Sequence, residues 1–303
     1  MLSQNQNLNN KKLNDLNYDI VLITTFINNN RIYDLLKSLK YLNGLKTMLI
    51  LVDMLDEPIK INYTNYESKI IHLKIKKKLS SSASRNIGLK YLFENIQNYN
   101  YLMYPDDDTT ISENFKEEFV KLENSNYILN VLSTNTKEKY AKYKKYDNEL
   151  ISEKDIEFVG CVRFLFNKET IEKNCYFDER MGVGAKYGAG EDGDYFLRVL
   201  KHQKLIYKEN LYTYHPAANL KYDSMNLKTL INRFKNYGVG AIFLFYKHKM
   251  HSNAIKIIIK ALLGFLIHLL SFNLKISIAY FAAFLYRLYY FIKFHLKFQQ
   301  NKL

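Results

Sequence analysis

Cysteine is nearly missing from the chain: Cys161 and Cys175 are the only two among 303 residues. So few, without metal-ligand spacing, exclude a disulfide-stapled scaffold and a cysteine-bound metal, and buried thiols in a cytosolic protein are expected. No apolar core of a secretory signal occurs in the Asn-rich N-terminus, so residues 1–17 are expected to form a flexible polar head. No run free of charge is long enough to span a bilayer. In the tail the longest, Ala261–Leu274 and Ile276–Tyr286, fall short of the roughly 20 residues required. Acidic residues are absent after Asp223, whereas twelve Lys and Arg follow it. The first 223 residues hold 32 basic and 30 acidic side chains, so the net charge of +14 belongs almost wholly to the tail. Such a tail suits an anionic partner, lipid or nucleic acid.

What is present fits a packed α/β protein. With 48% apolar residues, the length suits one large domain or two small ones. Asp19–Phe26 is a continuous β-branched and apolar run, as in a strand buried on both faces. Ile32, Leu35, Leu36, Leu39 and Leu42 then recur at helical spacing up to Gly44, and Met48–Val52 forms the next strand, ending in Asp53. This βαβ order places both strand ends on one sheet edge, where open α/β sheets hold ligands. Thr24, Thr25 and Asp53 are therefore candidates to line a nucleotide pocket, although each also suits ordinary strand-end chemistry. Lys69–Leu73 is a weaker third strand.

After it, Ser80–Ser82 can cap a helix whose first turn carries Arg85 and Asn86, a natural anion site. The next strand, Tyr99–Tyr104, ends in Pro105-Asp106-Asp107-Asp108. Three crowded carboxylates suit either an acidic turn or a shared hard cation such as Mg²⁺ or Mn²⁺. Ser112 is expected to cap a helix bearing Phe115, Phe119 and Leu122, with strands at Tyr127–Leu132 and Phe158–Phe166 and an exposed excursion at Glu138–Glu149 between them. Four glycines from Gly182 to Gly190 make a pliant loop, and Glu191, Asp192 and Asp194 open a helix after it. The glycine spacing could suggest a dinucleotide loop, but no strand of a βαβ unit precedes it. Leu205–Tyr214 is a strand or hairpin ending in His215.

Taken in order, the βαβ start, Asp53, Ala83-Ser84-Arg85-Asn86-Ile87-Gly88 and Tyr104-Pro105-Asp106-Asp107-Asp108 resemble a family 2 glycosyltransferase of the GT-A fold. The resemblance spans roughly residues 19–249. It implies that Asp106 and Asp108 form the Asp-x-Asp pair that holds Mn²⁺ or Mg²⁺ on a nucleotide-sugar diphosphate. It implies further that Asp53, Arg85, Asn86 and Asp106 bind the donor, beside the strand-end candidate Thr25, with Asp53 at the base and a UDP-sugar favoured. By the same resemblance Asp192 is the catalytic base, Glu191 and Asp194 orient acceptor hydroxyls, and His215 completes the metal shell or touches the diphosphate. The chain departs from the family after the second strand, with Asp53-Met54-Leu55-Asp56 where Asp-Asp-Gly-Ser is common. A carboxylate on one face of the sugar and a metal on the other would invert the anomeric centre.

Tyr237-Gly238-Val239-Gly240-Ala241, with Lys247 and His248 nearby, resembles a segment that follows the catalytic domain in part of the family. Beyond it Lys256, Lys260, Gly264, His268, Ser271 and Lys275 share one stripe at helical spacing, opposite Ile, Leu and Phe. That pattern suits a helix lying in a membrane interface, or a hairpin dipping into it. The alternative is a soluble helical subdomain.

The expected architecture is thus an α/β, GT-A type nucleotide-binding sheet flanked by helices, with a basic amphipathic helical tail that associates with membrane. The expected division is a head (1–17), a catalytic domain (18–223), a helical extension near the acceptor site (224–250) and the tail (251–303). The expected activity is metal-dependent sugar transfer to a glycan or lipid-linked acceptor, in cell-surface polysaccharide biosynthesis at the cytoplasmic face of the cell membrane. A metal-dependent nucleotidyltransferase would share the fold, but would want a glycine-rich basic loop where Ile27-Asn28-Asn29-Asn30 stands. A non-enzymatic basic protein remains the third reading. The tail's charges lie among apolar runs, so lipid rather than nucleic acid is the expected partner.

Overall fold

The computed structural model describes residues 16–27, 29–56, 59, 61–62, 66–139, 145–216, 222 and 225–299. Most of the expected polar head, residues 140–144 of the expected excursion and the proposed boundary at Asp223 lie outside the described residues. The chain forms two compact units. The first comprises residues 1–79, 83–177 and 195–217, and the second 80–82, 178–194 and 218–303.

The first unit is α/β and holds a mixed eight-stranded sheet flanked by helices. β1 (Tyr18–Phe26) is followed by helix α1 (Asn29–Ser38) and β2 (Thr47–Asp53). Ile32, Leu35, Leu36, Leu39 and Leu42 are all buried in one cluster with Ile20, Leu22, Leu49 and Leu51. This is why the periodic run is a helix: its apolar stripe covers one face of β1 and β2. β3 (Lys69–Lys74), α2 (Ser81–Asn95) and β4 (Tyr99–Met103) follow, then the two-residue β5 (Thr110–Ile111) and α3 (Phe115–Phe119). β6 (Asn126–Ser133), β7 (Phe164–Asn167), α4 (Lys168–Asn174), α5 (Glu191–Leu200) and β8 (Leu205–His215) bring the chain to the last strand.

The strand order is β3-β2-β1-β4-β7-β6-β8-β5. β3, β2, β1 and β4 run parallel, while β7 is antiparallel to β4 and β6. The chain leaves β1 towards β2 and returns to pair β4 on the other side of β1. The carboxyl ends of β1 and β4 therefore flank a topological switch point, the place where open α/β sheets form a ligand crevice.

The structure differs from the sequence expectations at several elements. Ser112 does not cap α3: its hydroxyl is buried without a partner among the described residues, and Asn114 holds the cap position. The strand expected over Phe158–Phe166 is confined to β7, because Glu153–Phe158 and Cys161–Arg163 coil into short 3₁₀ turns. Cys161 is buried and Cys175 partly buried, and no disulfide joins them.

The second unit contains the glycine loop and three helices, α6 (Leu227–Lys247), α7 (His251–Leu270) and α8 (Leu274–Gln299). α6 runs unbroken through Gly238 and Gly240. Both are sites of close approach: a Cβ on Gly240 would lie 2.3 Å from the Ala189 carbonyl oxygen, and one on Gly238 2.6 Å from Arg287 Nε. α7 and α8 form an antiparallel hairpin, with Phe265 against Phe281 and Arg287 donating to the Ile257 carbonyl at 2.7 Å. Gly264 and His268, expected on a polar outer stripe, instead meet Tyr280 inside the hairpin. Among the described residues, α7 alone is long and apolar enough to cross a membrane by length and composition. It exceeds the charge-free run because the helix continues through Lys256 and Lys260.

Candidate active site

In the first unit, the turn after β4 collects the acids. The Thr24 hydroxyl on β1 donates to the Pro105 carbonyl at 3.0 Å and ties the turn to the neighbouring strand end. The Asp106 amide donates to the Thr109 hydroxyl at 3.1 Å, and the Thr109 amide to the Asp106 carbonyl at 3.0 Å. β5 then pairs antiparallel with the end of β8, Thr110 opposite Tyr214. This register sets His215 beside Asp108, although 107 positions separate them in the sequence.

His215 Nε2 lies 3.0 Å from Asp108 Oδ1 and 3.7 Å from Asp106 Oδ2. One ligand atom from each of Asp106, Asp108 and His215 falls within 4.8 Å of the others. Two carboxylates and an imidazole this close could hold a metal ion. Arg85 on α2 donates to Asp106 Oδ1 at 3.1 Å, and Arg31 on α1 to Asp108 Oδ2 at 3.1 Å.

Charge pairing governs the ionisation of this group. Burial opposes charge on Asp106, but the His215 hydrogen bond and Arg85 outweigh it and hold the carboxyl below its usual range. Burial likewise opposes a proton on His215; the two acids prevail and raise it to about 9. Asp107 is pushed up to about 6, first by burial and then by the charge of Asp108. The middle acid is thus the odd one of the three.

The other donor candidates have protein partners. Asp53 is fully buried at the end of β2 and accepts from the Leu55 amide at 2.8 Å. It also meets His72 Nε2 at 2.8 Å and Lys74 Nζ at 3.3 Å. Burial would raise its pKa, yet His72, the Leu55 amide and Lys74 together lower it. The Asn86 amide nitrogen donates to the Phe177 carbonyl at 3.0 Å, and its oxygen accepts from the Phe177 amide at 2.8 Å. These bonds brace the chain before the glycine loop. Thr25, the last partly open residue of β1 before Phe26, pairs in register with Val52.

The second unit carries the other acids, in the first turn of α5. The preceding loop is closed by its own backbone, with Gly182 donating to the Tyr187 carbonyl at 2.9 Å and Tyr187 to that of Arg180 at 2.8 Å. The Ser81 hydroxyl donates to Glu191 Oε1 at 2.7 Å and that of Ser82 to the Met181 carbonyl at 2.6 Å. Gly182 has φ +105°, and a Cβ there would fall 2.4 Å from Ser81 Oγ. The loop expected to be pliant is therefore stitched in place.

Asp194, expected to orient an acceptor, is fully buried between Lys247 Nζ at 2.7 Å and His248 Nε2 at 2.8 Å. The pairing ties Asp194 to the end of α6 and turns the carboxylate away from solvent. Lys247 also reaches Asp178 Oδ2 at 2.8 Å, and Arg180 meets the same oxygen at 2.8 Å. Glu191 is buried against Ser81, and Asp192 is the one acid of the three left partly open to solvent. Asp192 and Glu191 both act on the Tyr237 hydroxyl, whose pKa burial raises against the pull of Arg233.

Sequence reasoning missed Arg31, and it missed that His72 and Lys74 serve Asp53. The second was readable: His72 and Lys74 stand two apart, on one face of a strand neighbouring β2. No protein-family model matches the chain, and no curated protein matches its sequence.

Proposed function

We propose that this chain is a metal-dependent glycosyltransferase of GT-A type, similar to family 2, that takes a nucleotide-sugar donor. The observation that carries the reading is the Asp106–Asp108–His215 group beside Arg85 at the switch point of the parallel strands. Mn²⁺ suits two carboxylates and an imidazole better than Mg²⁺, because nitrogen ligands favour the softer ion. Bound there, the ion would neutralise charge gathering on the departing diphosphate. Arg85, buried and fixed by Asp106 and the Phe177 ring, would add a fixed positive charge on the same side. Asp192, held at a helix start by its buried neighbours Glu191 and Asp194, would accept the proton of an acceptor hydroxyl. Inversion at the anomeric carbon is the expected stereochemistry.

The α7–α8 hairpin is proposed as the membrane-associating part. Ile255, Ile259, Leu263 and Ile267 on α7, with Ile278 and Leu285 on α8, expose apolar side chains at helical spacing. No acid follows Asp223, so an anionic lipid surface meets no opposing charge in this segment. Asp192 belongs to the same compact unit as the hairpin, which favours a lipid-linked acceptor in surface-polysaccharide assembly.

A panel of nucleotide-sugars, assayed for nucleoside diphosphate release with and without Mn²⁺, tests the activity. Release from one donor, dependent on Mn²⁺ and reduced at least a hundredfold in Asp192→Asn, is expected. Normal turnover by that variant would remove the base assignment, and no release from any donor would remove the activity itself.

A further inference from the structure

The donor reading leaves Arg31 without a role, yet its guanidinium holds an oxygen of the metal set. Arg31 Nη1 donates to Asp108 Oδ2 at 3.1 Å, and its side chain is 48% exposed while that of Asp108 is 12% exposed. Around the two acids, Arg85 takes Asp106 Oδ1, His215 stands between Asp106 Oδ2 and Asp108 Oδ1, and Arg31 takes Asp108 Oδ2. Each of the four carboxylate oxygens therefore has a protein cation within 4 Å.

The three cations are not equivalent. Arg85 is buried and braced over the Phe177 ring, and His215 offers a ring nitrogen that can itself ligate. Arg31 can do neither: a guanidinium cannot bind a cation, and this one sits half in solvent on a long flexible stem. A divalent ion drawing on Asp108 would face the Arg31 charge at close range. Guanidinium and ion thus compete for one carboxylate, and the guanidinium has the free path outwards. Five N–H donors in a fixed fork then lie next to a cation that itself attracts phosphate, the geometry in which arginine binds phosphate oxygens.

We propose that Arg31 is a counter-charge that a divalent ion displaces from Asp108, and that the displaced side chain then ligates the diphosphate of the donor. The proposal rests on the metal site put forward above. It couples the two binding events: the ion releases Arg31, and the released arginine strengthens nucleotide binding.

Arg31→Ala and Arg31→Lys separate the two halves of the exchange. Calorimetric titration with Mn²⁺ alone, then with UDP at saturating Mn²⁺, reads each step, and a thermal melt of each variant checks folding. Arg31→Ala should bind Mn²⁺ about threefold more tightly than the wild type, the loss of a half-exposed ion pair. It should bind UDP with Mn²⁺ about tenfold more weakly, the loss of a charge-assisted hydrogen bond. Arg31→Lys, which keeps the charge without the fork, should fall between on both counts. Unchanged or weaker Mn²⁺ binding in Arg31→Ala would overturn the competition, and unchanged UDP binding would overturn the phosphate role. If the wild type itself takes up no Mn²⁺, the metal reading fails beneath the proposal, a result distinct from either.

Discussion

Asp192 and Asp194 stand two residues apart in one helical turn, and their surroundings give them different work. Asp194 is sealed between Lys247 and His248, whereas Asp192 keeps access to solvent. Asp178 shares Lys247 with Asp194 and is also held by Arg180. Burial opposes its charge, but the Arg180 and Lys247 hydrogen bonds prevail and hold the carboxyl well below its ordinary range. A depressed folded pKa contributes stability that is complete above the unfolded value, about 4, and is lost as the pH falls through the folded value. Asp178→Asn should therefore cost about 2 kcal/mol at pH 7, less than a lone buried pair because Lys247 keeps Asp194. The stability gap between wild type and variant should narrow below pH 4; denaturant titrations at pH 7 and pH 3 that give the same gap would remove this account. Arg31 and the Asp178 partnership could not be read in the sequence, since 77 positions separate Arg31 from Asp108 and 69 separate Lys247 from Asp178. The gathering of acids at the end of β4 was readable locally, whereas the triplet by itself suited an acidic turn as well as a shared cation.

At the level of elements, the β1–α1–β2 unit is legible because continuous burial and helical periodicity leave different sequence patterns. The stretch before β7 is not, because apolar residues in short 3₁₀ turns resemble a strand in composition. Gly238 and Gly240 lie inside α6 at sites of close contact. The two kinds of glycine predict different costs. Gly240→Ala drives a Cβ to 2.3 Å from the Ala189 backbone, which cannot rotate away, and should destabilise by about 3 kcal/mol. Gly264→Ala meets the Tyr280 ring at 2.6 Å, a side chain able to shift, and should cost about 1 kcal/mol. On the proposed function, Gly240→Ala should also lower sugar transfer while leaving Mn²⁺ binding unchanged, because the Ala189 segment leads into α5 and the metal group belongs to the other unit. Equal melting temperatures for the two variants would contradict the distinction.

For the whole molecule, the basic tail of the sequence falls within the second compact unit. The first holds the sheet and the acidic turn; the second holds the candidate base and the exposed hairpin. If the hairpin faces lipid, Leu263→Glu with Leu285→Glu should abolish flotation with anionic vesicles while Mn²⁺ binding by the first unit stays intact. Undiminished flotation of the double variant would place lipid binding elsewhere.

The proposed sugar transfer rests on the metal group, so its direct measurement carries the most weight. Titration of the chain with Mn²⁺, followed by the loss of the free-ion paramagnetic resonance signal, should give one site that UDP tightens and that Asp108→Ala abolishes. A wild-type chain that takes up no Mn²⁺ with UDP present, or an Asp108→Ala variant that binds it as well as the wild type, would contradict the account.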